Sequence, residues 1–269
     1  MKKKRLIPIV LLRNGWIVQS VSFKEYKNLG NPVFSVKRLS EWCSDELIYL
    51  DITQDGAKYD MRRDDIHMMN HSSISEIIEN VSNSAFMPLC FGGGIRNIAD
   101  IEERLRSGAD KVSVNRALYK DPEFVKQAAK EFGSQCIIGS VDYVGEGENA
   151  KVFNVQTRSA TDLNLIDFCK HVEDLGIGEI LLNSVERDGL KTGFDIEQID
   201  RISKLVRIPV IACGGCGNWE HLAEVFNKTD ADAVAAANIF QHVDQSTYLA
   251  KEHLFQQGHN VRKPDFVEL

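Results

Sequence analysis

The sequence predicts a (β/α)₈ barrel, also called a TIM barrel, with a twofold repeat of its half-barrels. Eight apolar runs of strand type are separated by helical or polar segments, and this alternation indicates a parallel sheet with right-handed crossovers. Motifs of the first half of the chain recur at matching spacing in the second half, which indicates repeated structural units. Eight units in 269 residues favour a closed barrel over an open doubly wound sheet, which explains the twofold repeat less well.

The apolar runs end at Gly, Asp or Asn, as expected for strands that are buried on both faces and followed by turns. The runs are Leu6–Leu11, Leu47–Ile52, Met87–Phe91, Lys111–Val114, Ile137–Val141, Ile180–Asn183, Val210–Cys213 and Ala233–Ala236. Helical patterns lie between them, for example Pro122–Gly133, with Asp121 as its N-cap and glycine at its end. We expect one domain over residues 1–269, with half-barrels at about 1–130 and 131–269.

One glycine-rich run occurs twice. Phe91–Ile95 is repeated as Cys213–Gly217, and an aspartate follows the first glycine of each run by 18 residues, as Asp110 and Asp232. In a barrel these runs lie at the C-terminal ends of strands, where such barrels carry their sites. Glycine lets the backbone approach a ligand, and the N-terminus of the next helix attracts an anion. The repeated run therefore predicts two phosphate cradles, which suit a small molecule with a phosphate at each end.

The predicted cradles combine these glycines with polar residues at neighbouring strand ends. The first consists of Gly93, Gly94, Asn115 and Arg116. The second consists of Asp188, Gly189, Gly214, Gly215, Ala237 and Asn238. The side chains of Arg116 and Asn238 can each donate hydrogen bonds to a phosphate.

Composition bounds the class of protein. An apolar content of 43% in 269 residues suits one sizeable soluble domain, and the net charge of −7 does not indicate nucleic-acid binding. No stretch is long enough to span a membrane, and the six scattered cysteines suit reduced thiols in a cytoplasmic protein. Cys213 and Cys216 have metal or redox spacing, but no second ligand pair accompanies them, so we expect no metal and no cofactor.

From Lys4 to Arg262 the chain resembles the cyclase subunit of imidazole glycerol phosphate synthase. The motifs that carry the resemblance fall in order with nearly constant spacing. They are Ile7-Pro8, Asp45–Thr53, Gly92–Ile95, Gly108–Asn115, Phe132–Gln135, Gly178–Leu182, Arg187–Gly189 and Cys213–Gly217. The resemblance implies a (β/α)₈ barrel that forms a heterodimer with a glutaminase. Ammonia from the glutaminase would pass through the barrel and join a bisphosphorylated intermediate at its opposite face, where an imidazole ring closes in an ammonia-using lyase reaction.

The resemblance also implies two catalytic aspartates that act as general acid and base. The second of them is Asp142, but Leu11 stands in place of the first, and Gln19 stands where the family has a lysine. Leucine cannot transfer a proton, and such groups contribute on the order of 10²–10⁴-fold each. We therefore expect the parent cyclase reaction to be impaired, with Asn14 and Asp51 as the nearest substitutes for the missing acid.

The family lines the entrance of its ammonia passage with a ring of charged residues at the N-terminal ends of the strands. The matching positions here are all of the right type, namely Arg5, Glu46, Lys111 and Glu179. Four charges at a barrel end are costly to bury unless they are paired, so a stabilising polar plug is the alternative interpretation. Asp110 matches a family residue that faces the glutaminase, which indicates a retained partner interface.

Three hypotheses follow. The leading one is a divergent relative, of the kind found in bacterial surface-polysaccharide gene sets, that passes ammonia to a nucleotide-sugar or similar substrate for amination or amidine formation. The second is an authentic cyclase of histidine biosynthesis, and the third is a catalytically silent scaffold that activates the glutaminase. An insert relative to the family, Lys58–Ser73, follows the second strand. The sequence leaves open whether this insert shapes the substrate mouth, docks a partner or is a solvated loop.

Overall fold

The computed structural model describes residues 3–54, 57, 59, 73–241 and 246–264. In chain order the strands are β1 (Arg5–Arg13), β2 (Trp16–Val21), β3 (Glu25–Gly30), β4 (Leu47–Asp51), β5 (Leu89–Gly92), β6 (Lys111–Val114), β7 (Ile137–Val144), β8 (Lys151–Asn154), β9 (Ser159–Asn164), β10 (Glu179–Ser184), β11 (Val210–Cys213) and β12 (Ala233–Ala236). The α-helices are α1 (Pro32–Glu41), α2 (Ile74–Ser82), α3 (Ile98–Arg106), α4 (Ala117–Lys120), α5 (Pro122–Phe132), α6 (Leu165–Asp174), α7 (Ile196–Leu205), α8 (Trp219–Lys228) and α9 (Thr247–Gln256).

Eight of these strands close into a parallel barrel, which confirms the predicted (β/α)₈ fold. The order around the barrel is β1, β4, β5, β6, β7, β10, β11 and β12, and β12 pairs in turn with β1. All eight runs that the sequence indicated as strands fall on these eight. Because the strands are parallel, their N-terminal ends meet at one end of the barrel and their C-terminal ends at the other.

Two antiparallel hairpins, which the sequence analysis did not predict, extend the barrel at the C-terminal ends of its strands. The first consists of β2 and β3 and follows β1, and the second consists of β8 and β9 and follows β7. They meet through the edge-to-face rings of Phe23 and Phe153, whose centroids lie 6.4 Å apart. Since β1 and β7 begin the two predicted halves, the hairpins occupy equivalent places, although the half-barrel boundaries near residue 130 stay a prediction.

The helices begin and end where the sequence supplies caps. The Asp121 carboxylate accepts from the Phe124 backbone N–H at 3.1 Å at the start of α5, and Gly133, with a φ of 90°, follows its end. A reciprocal capping box between Asn97 and Asp100 begins α3. Among the helices in the described part of the chain, none is both long enough and apolar enough to cross a membrane.

The apolar core has two parts. The larger part lies between the helices and the outer face of the barrel. The smaller part fills the barrel lumen and consists of Ile7, Ile9, Ile48, Cys90, Ile138, Leu181, Ile211, Ala233 and Ala235. These inward-facing layers separate the two ends of the barrel from each other.

Candidate functional site at the two ends of the barrel

A ring of four charged side chains closes the barrel at the N-terminal ends of its strands. Arg5 contacts Glu46 at 2.9 Å and also forms an ion pair with Glu179. Lys111 contacts Glu46 at 2.9 Å and Glu179 at 2.6 Å. Each base therefore contacts both acids, and each acid contacts both bases. The structure brings together the four residues that were predicted for the ammonia entrance, although that role stays a prediction.

The charges of this ring depend on one another because the acids are buried. The side chains of Glu46 and Glu179 are 2% and 10% exposed. Burial raises the pKa of Glu46, against the attraction of Lys111 and Arg5. Burial would also raise the pKa of Glu179, but the hydrogen bonds and charges of Arg5 and Lys111 outweigh it and lower that pKa. Removing one base would therefore leave a buried acid undercompensated.

Above the ring the lumen is apolar except along β6 and at Ser140 of β7, which lies two residues after the lumen residue Ile138. Alternate residues of a strand face the same side, so Lys111, Ser113 and Asn115 form one polar line that leads from the ring to the mouth, over a length of about 13 Å. Ser113 is 4% exposed, and its hydroxyl has no hydrogen-bond partner among the described residues. A neutral molecule that forms hydrogen bonds suits this lumen, because moving a charge into apolar surroundings is costly.

Asp142, the predicted catalytic residue, lies at the opposite end of the barrel between two carboxamides. Asn115 donates a hydrogen bond to its carboxylate at 2.9 Å, and Asn183 donates another at 2.7 Å. Burial raises the pKa of Asp142 to about 6, although the hydrogen bonds from Asn183 and Asn115 oppose the rise. A carboxyl group with this pKa can take up and release a proton near neutral pH, as general acid–base chemistry requires.

The sequence analysis missed Asn183, although the repeat contained a signal for it. Lys111 and Glu179 each begin a strand, and each is followed four residues later by an asparagine, Asn115 or Asn183. Residues four apart on a strand point the same way, so each strand presents one ring residue and one carboxamide. Asn115 was predicted to bind phosphate, and here its amide contacts Asp142; the phosphate role stays a prediction.

One side of the mouth is walled by apolar side chains. Leu11, Leu50, Cys213 and Ala237 are partly buried and pack against the lumen core. They come from neighbouring strands at or beyond their C-terminal ends, whereas the carboxamides flank Asp142 on the other side of the barrel. Leu11 pairs with Leu50 of the adjacent strand. In the position where the family resemblance implies a second acid, this barrel therefore has a hydrocarbon wall.

Both candidate substitutes for the missing acid are engaged in turn structure. The Asp51 carboxylate accepts from the Thr53 backbone N–H at 2.9 Å and from the Tyr59 hydroxyl. Asn14 lies in the turn after β1 with a φ of 52°, and its backbone N–H donates to the Thr53 hydroxyl at 2.8 Å. Of these two side chains only that of Asp51 has an ionisable group, so it is the one that could carry a proton.

The first predicted cradle lies at the ends of β5 and β6. Gly93 has a φ of 100°, and a Cβ there would lie 2.1 Å from the Asp51 carbonyl oxygen, so backbone packing requires glycine. Among the described residues, apart from its chain neighbours, no atom comes nearer than 3.9 Å to a Cβ position on Gly94. Asn115 and Arg116 follow the neighbouring strand directly. The structure thus brings the four residues to adjacent strand ends, and phosphate binding stays a prediction.

The first hairpin covers the second predicted cradle. Ser20 on β2 donates to the Asp188 carboxylate at 3.0 Å, and the Ser20 carbonyl accepts from the Asn238 amide at 2.7 Å. A Cβ on Gly189 would lie 2.7 Å from that same carbonyl. Burial raises the pKa of Asp188, against the hydrogen bond from Ser20. The amide of Asn238, which was predicted to donate to a phosphate, therefore donates to the hairpin in this structure.

The glycine pair of the second cradle has a packing reason of its own. Gly215 has a φ of 102°, and a Cβ there would lie 2.1 Å from the Gly193 carbonyl oxygen. A Cβ on Gly214 would lie 2.6 Å from the Ser184 carbonyl oxygen. Ala237 faces the apolar part of the mouth. As at Gly93 of the first cradle, close backbone approach accounts for these two glycines without a ligand, so their phosphate role stays a prediction.

The repeated aspartates fix neighbouring strands to each other. The Asp110 carboxylate accepts from the Leu89 N–H at 2.8 Å, and the Asp110 N–H donates to the Leu89 carbonyl at 2.9 Å. Asp232 contacts Val210 in the same way, at 3.2 and 3.0 Å. This part of the repeat therefore has a structural cause. The partner-facing role of Asp110 stays a prediction.

An open cleft of about 400 Å³ lies at the N-terminal end of the barrel, next to the ring. Its lining includes Phe86, Pro88, Gly108 and Asp110. Phe86 is 72% exposed and is the most exposed large hydrophobic side chain among the described residues. An exposed aromatic residue beside a cleft is typical of a protein contact surface. The sequence analysis did not single out Phe86.

The insert Lys58–Ser73 lies outside the described residues except at Tyr59 and Ser73. In the part of the chain that the structure describes, no group of three or more His, Cys, Asp or Glu side chains could hold a metal ion.

Comparison with known proteins agrees with this geometry. Residues 5–245 match the family model described as histidine biosynthesis protein. The chain is also 39% identical, over 258 residues, to the imidazole glycerol phosphate synthase subunit HisF of Lactococcus lactis subsp. cremoris (strain SK11). That alignment covers 95% of each chain.

Proposed function

Because the chain belongs to the histidine biosynthesis protein family and is a HisF-type member of it, we propose that it receives ammonia from a glutaminase partner. The two proteins form a heterodimer in this proposal. Ammonia passes through the barrel and is used at the other end for amination or amidine formation on a phosphorylated or nucleotide-sugar substrate of surface-polysaccharide biosynthesis. The observation that carries the proposal is the contrast between an intact charged ring at one end and Leu11 at the other.

The ring is the proposed entrance. Four ion pairs hold Arg5, Glu46, Lys111 and Glu179 in a closed arrangement across the barrel end. Such an arrangement is costly to bury and contributes little net stability, so a use in passage accounts for it better than a stabilising plug does. The polar line of Ser113 and Asn115 above the ring offers hydrogen bonds to a neutral molecule on its way to the mouth.

The cleft beside the ring is the proposed docking surface for the glutaminase. Phe86 is an exposed aromatic anchor at its rim, and Asp110 supplies a charge. Interfaces are enriched in such aromatic anchors. Ammonia that leaves a partner seated here enters the ring directly.

At the mouth, Asp142 is the one acid/base group that the family resemblance implies and the chain retains. Its raised pKa and its two carboxamide contacts let it exchange a proton with a bound substrate. The parent reaction would need a second such group, and Leu11 cannot supply it. We therefore propose that the acceptor differs from the parent intermediate, or that a separate ammonia-using enzyme holds it.

The second candidate is an authentic cyclase. The identity of 39% to a HisF subunit and the presence of Asp142 with a raised pKa favour it. In that case Asp51, at the end of the strand next to Leu11, is the available carboxylate, and it would have to give up its hydrogen bond from Tyr59.

Ammonia-dependent turnover separates the two candidates. The purified chain is incubated with the bisphosphorylated intermediate of the cyclase reaction at high ammonium concentration, which removes the need for a partner. We expect no imidazole product from the wild type, and product from Leu11→Asp if the rest of the mouth is still suited to the parent reaction. Wild-type turnover within about 10-fold of an authentic cyclase would contradict the proposal, since loss of one acid/base group leaves less than that.

Stimulation of the glutaminase tests the partner. We expect the chain to bind a co-expressed glutaminase and to raise its glutamine hydrolysis, and we expect Phe86→Asp to weaken both effects. Leu190→Asp is the matched control, because Leu190 is 48% exposed but follows β10 at the opposite end of the barrel. Absence of stimulation would exclude the ammonia passage and also the alternative of a silent activating scaffold. Stimulation without any ammonia transfer would favour the scaffold.

A further inference from the structure

A buried ionic cluster joins the C-terminal helix to the start of the barrel, and the family function does not account for it. The Lys251 side chain on α9 is 0% exposed. Its ammonium contacts the Asp45 carboxylate at 2.6 Å and the Cys43 carbonyl at 2.5 Å. Arg262 approaches the same carboxylate at 3.5 Å and donates to the Cys43 carbonyl at 3.1 Å. We call Lys251, Asp45 and Arg262 the Asp45 cluster.

The Asp45 cluster acts on the two strands that carry half of the charged ring. The second carboxylate oxygen of Asp45 accepts from the Leu6 N–H at 2.9 Å, and the Asp45 N–H donates to the Leu6 carbonyl at 3.2 Å. Leu6 follows Arg5, and Asp45 precedes Glu46. The contacts that fix Asp45 against Leu6 therefore also fix the relative position of the Arg5–Glu46 ion pair.

General stabilisation is a poor explanation for this cluster. Taking a lysine out of water is costly, and a buried ion pair seldom adds net stability compared with apolar side chains of similar size. What a buried ion pair can do is specify one alignment of the elements that carry it. Here those elements are α9, the loop before β4, and, through Leu6, the first barrel strand.

We propose that Lys251 is a positioning residue for the charged ring, and that through Asp45 it holds the register in which Arg5 meets Glu46. The functional meaning rests on the proposed role of the ring as the ammonia entrance. Loss of Lys251 would then loosen the ring from one side while the mouth of the barrel, at the other end of the lumen, stays as it is. The expected consequence in the complex is that ammonia escapes at the entrance.

Side-chain NMR of lysine ammonium groups tests the proposal on the isolated chain. The readout is the rate at which the Lys111 ammonium exchanges hydrogen with water, because that group is 18% exposed and contacts Glu46 and Glu179. We expect Lys251→Met to speed this exchange about tenfold. A change of that size corresponds to a loss of local stability equal to the net contribution of roughly one hydrogen bond. The Lys251 signal itself disappears and thereby confirms the assignment.

The matched control is Thr247→Val. Thr247 is buried one turn earlier on the same helix, and its hydroxyl contacts the Trp42 carbonyl at 2.9 Å and the Ser44 hydroxyl at 3.1 Å, not the Asp45 carboxylate. We expect Lys111 exchange in this variant to equal that of the wild type. Equal acceleration in both variants would mean that any loosening of α9 disturbs the ring, and it would overturn the specific role of Lys251.

A second variant covers the case in which Lys251→Met does not fold. Arg262→Gln removes the other cation of the Asp45 cluster, whose side chain is 59% exposed, and we expect a smaller acceleration in the same direction. Unchanged Lys111 exchange in every folded variant would overturn the proposal. The measurement needs no partner, so its failure says nothing against the glutaminase, and failed glutaminase stimulation leaves the NMR result intact.

Discussion

Asp142→Asn tests whether an ionised carboxylate at the barrel mouth destabilises the fold. Burial raises the pKa of Asp142 from 3.8 to about 6 in the folded chain. Between these values the folded state keeps a proton that the unfolded state has released, so the stability that this group contributes is lost as the pH rises through that window. At about 1.4 kcal/mol per pKa unit, the ionised carboxylate costs the folded state about 3 kcal/mol above pH 6.

Asparagine does not ionise, so the variant escapes this cost. The oxygen of the new carboxamide can accept a hydrogen bond from Asn115. The side-chain oxygen of Asn183 is buried without a partner among the described residues. It can accept a hydrogen bond from the new amide once the Asn183 carboxamide rotates by half a turn. A poorer hydrogen bond would cost about 1 kcal/mol at every pH. Relative to the wild type, we therefore expect the variant to gain about 2.5 kcal/mol in unfolding free energy between about pH 4 and pH 8, since the unfolded carboxyl is already partly ionised at pH 4.

Urea unfolding of both proteins at the two pH values measures this gain. Asp162→Asn is the control for removing one negative charge, because the Asp162 side chain is fully exposed on β9. If the difference between Asp142→Asn and the wild type is the same at both pH values, the carboxylate is not destabilised by burial. The inference that it exchanges a proton near neutral pH would then fail as well.

Three further changes test other parts of the molecule. Lys111→Met leaves two buried acids with one base, and denaturant unfolding should show a loss of about 3–5 kcal/mol. Gly215→Ala places a Cβ 2.1 Å from a carbonyl oxygen and should cost at least about 3 kcal/mol of unfolding free energy. Gly94→Ala meets no clash among the described residues and should cost about 1–2 kcal/mol from its φ alone. Melting temperatures of the two variants separate the clash from the backbone strain. Asn183→Leu removes a hydrogen bond that opposes the rise in the pKa of Asp142, so a carboxyl-carbon NMR titration should place its midpoint above 6, and an unchanged midpoint would refute the contact.

The barrel itself could be predicted because each strand carries its own signal. A strand buried on both faces is marked by a mostly apolar run, and the eight runs of this chain are of that kind, although Lys111 and Ser113 interrupt the fourth. The first hairpin could not be found in this way. Four of the six residues of β3 are exposed, so no apolar pattern marks it. Its partner β2 is held by distant residues, since Ser20 contacts Asp188 and Asn238, and no local rule predicts those contacts.

The candidate site shows why a repeat alone does not separate function from packing. Gly93 and Gly215 recur at one spacing because each must pass close to a carbonyl oxygen, and a phosphate cradle would demand the same residue type. Asp110 and Asp232 recur because each fixes the start of a neighbouring strand. Such positions satisfy both explanations, and only the contacts of the folded chain reveal the structural one.

The two ends of the barrel can change independently because an apolar lumen separates them. Leu11 packs beside Leu50 in the upper layer, and several layers of isoleucine, leucine and alanine lie between it and the ring. Replacing a mouth carboxylate by leucine extends this apolar packing upward and leaves the four ion pairs below unaltered. A barrel of this design can therefore lose an acid at its mouth and retain the charged ring that we propose as the ammonia entrance, which is the combination that a change of acceptor requires.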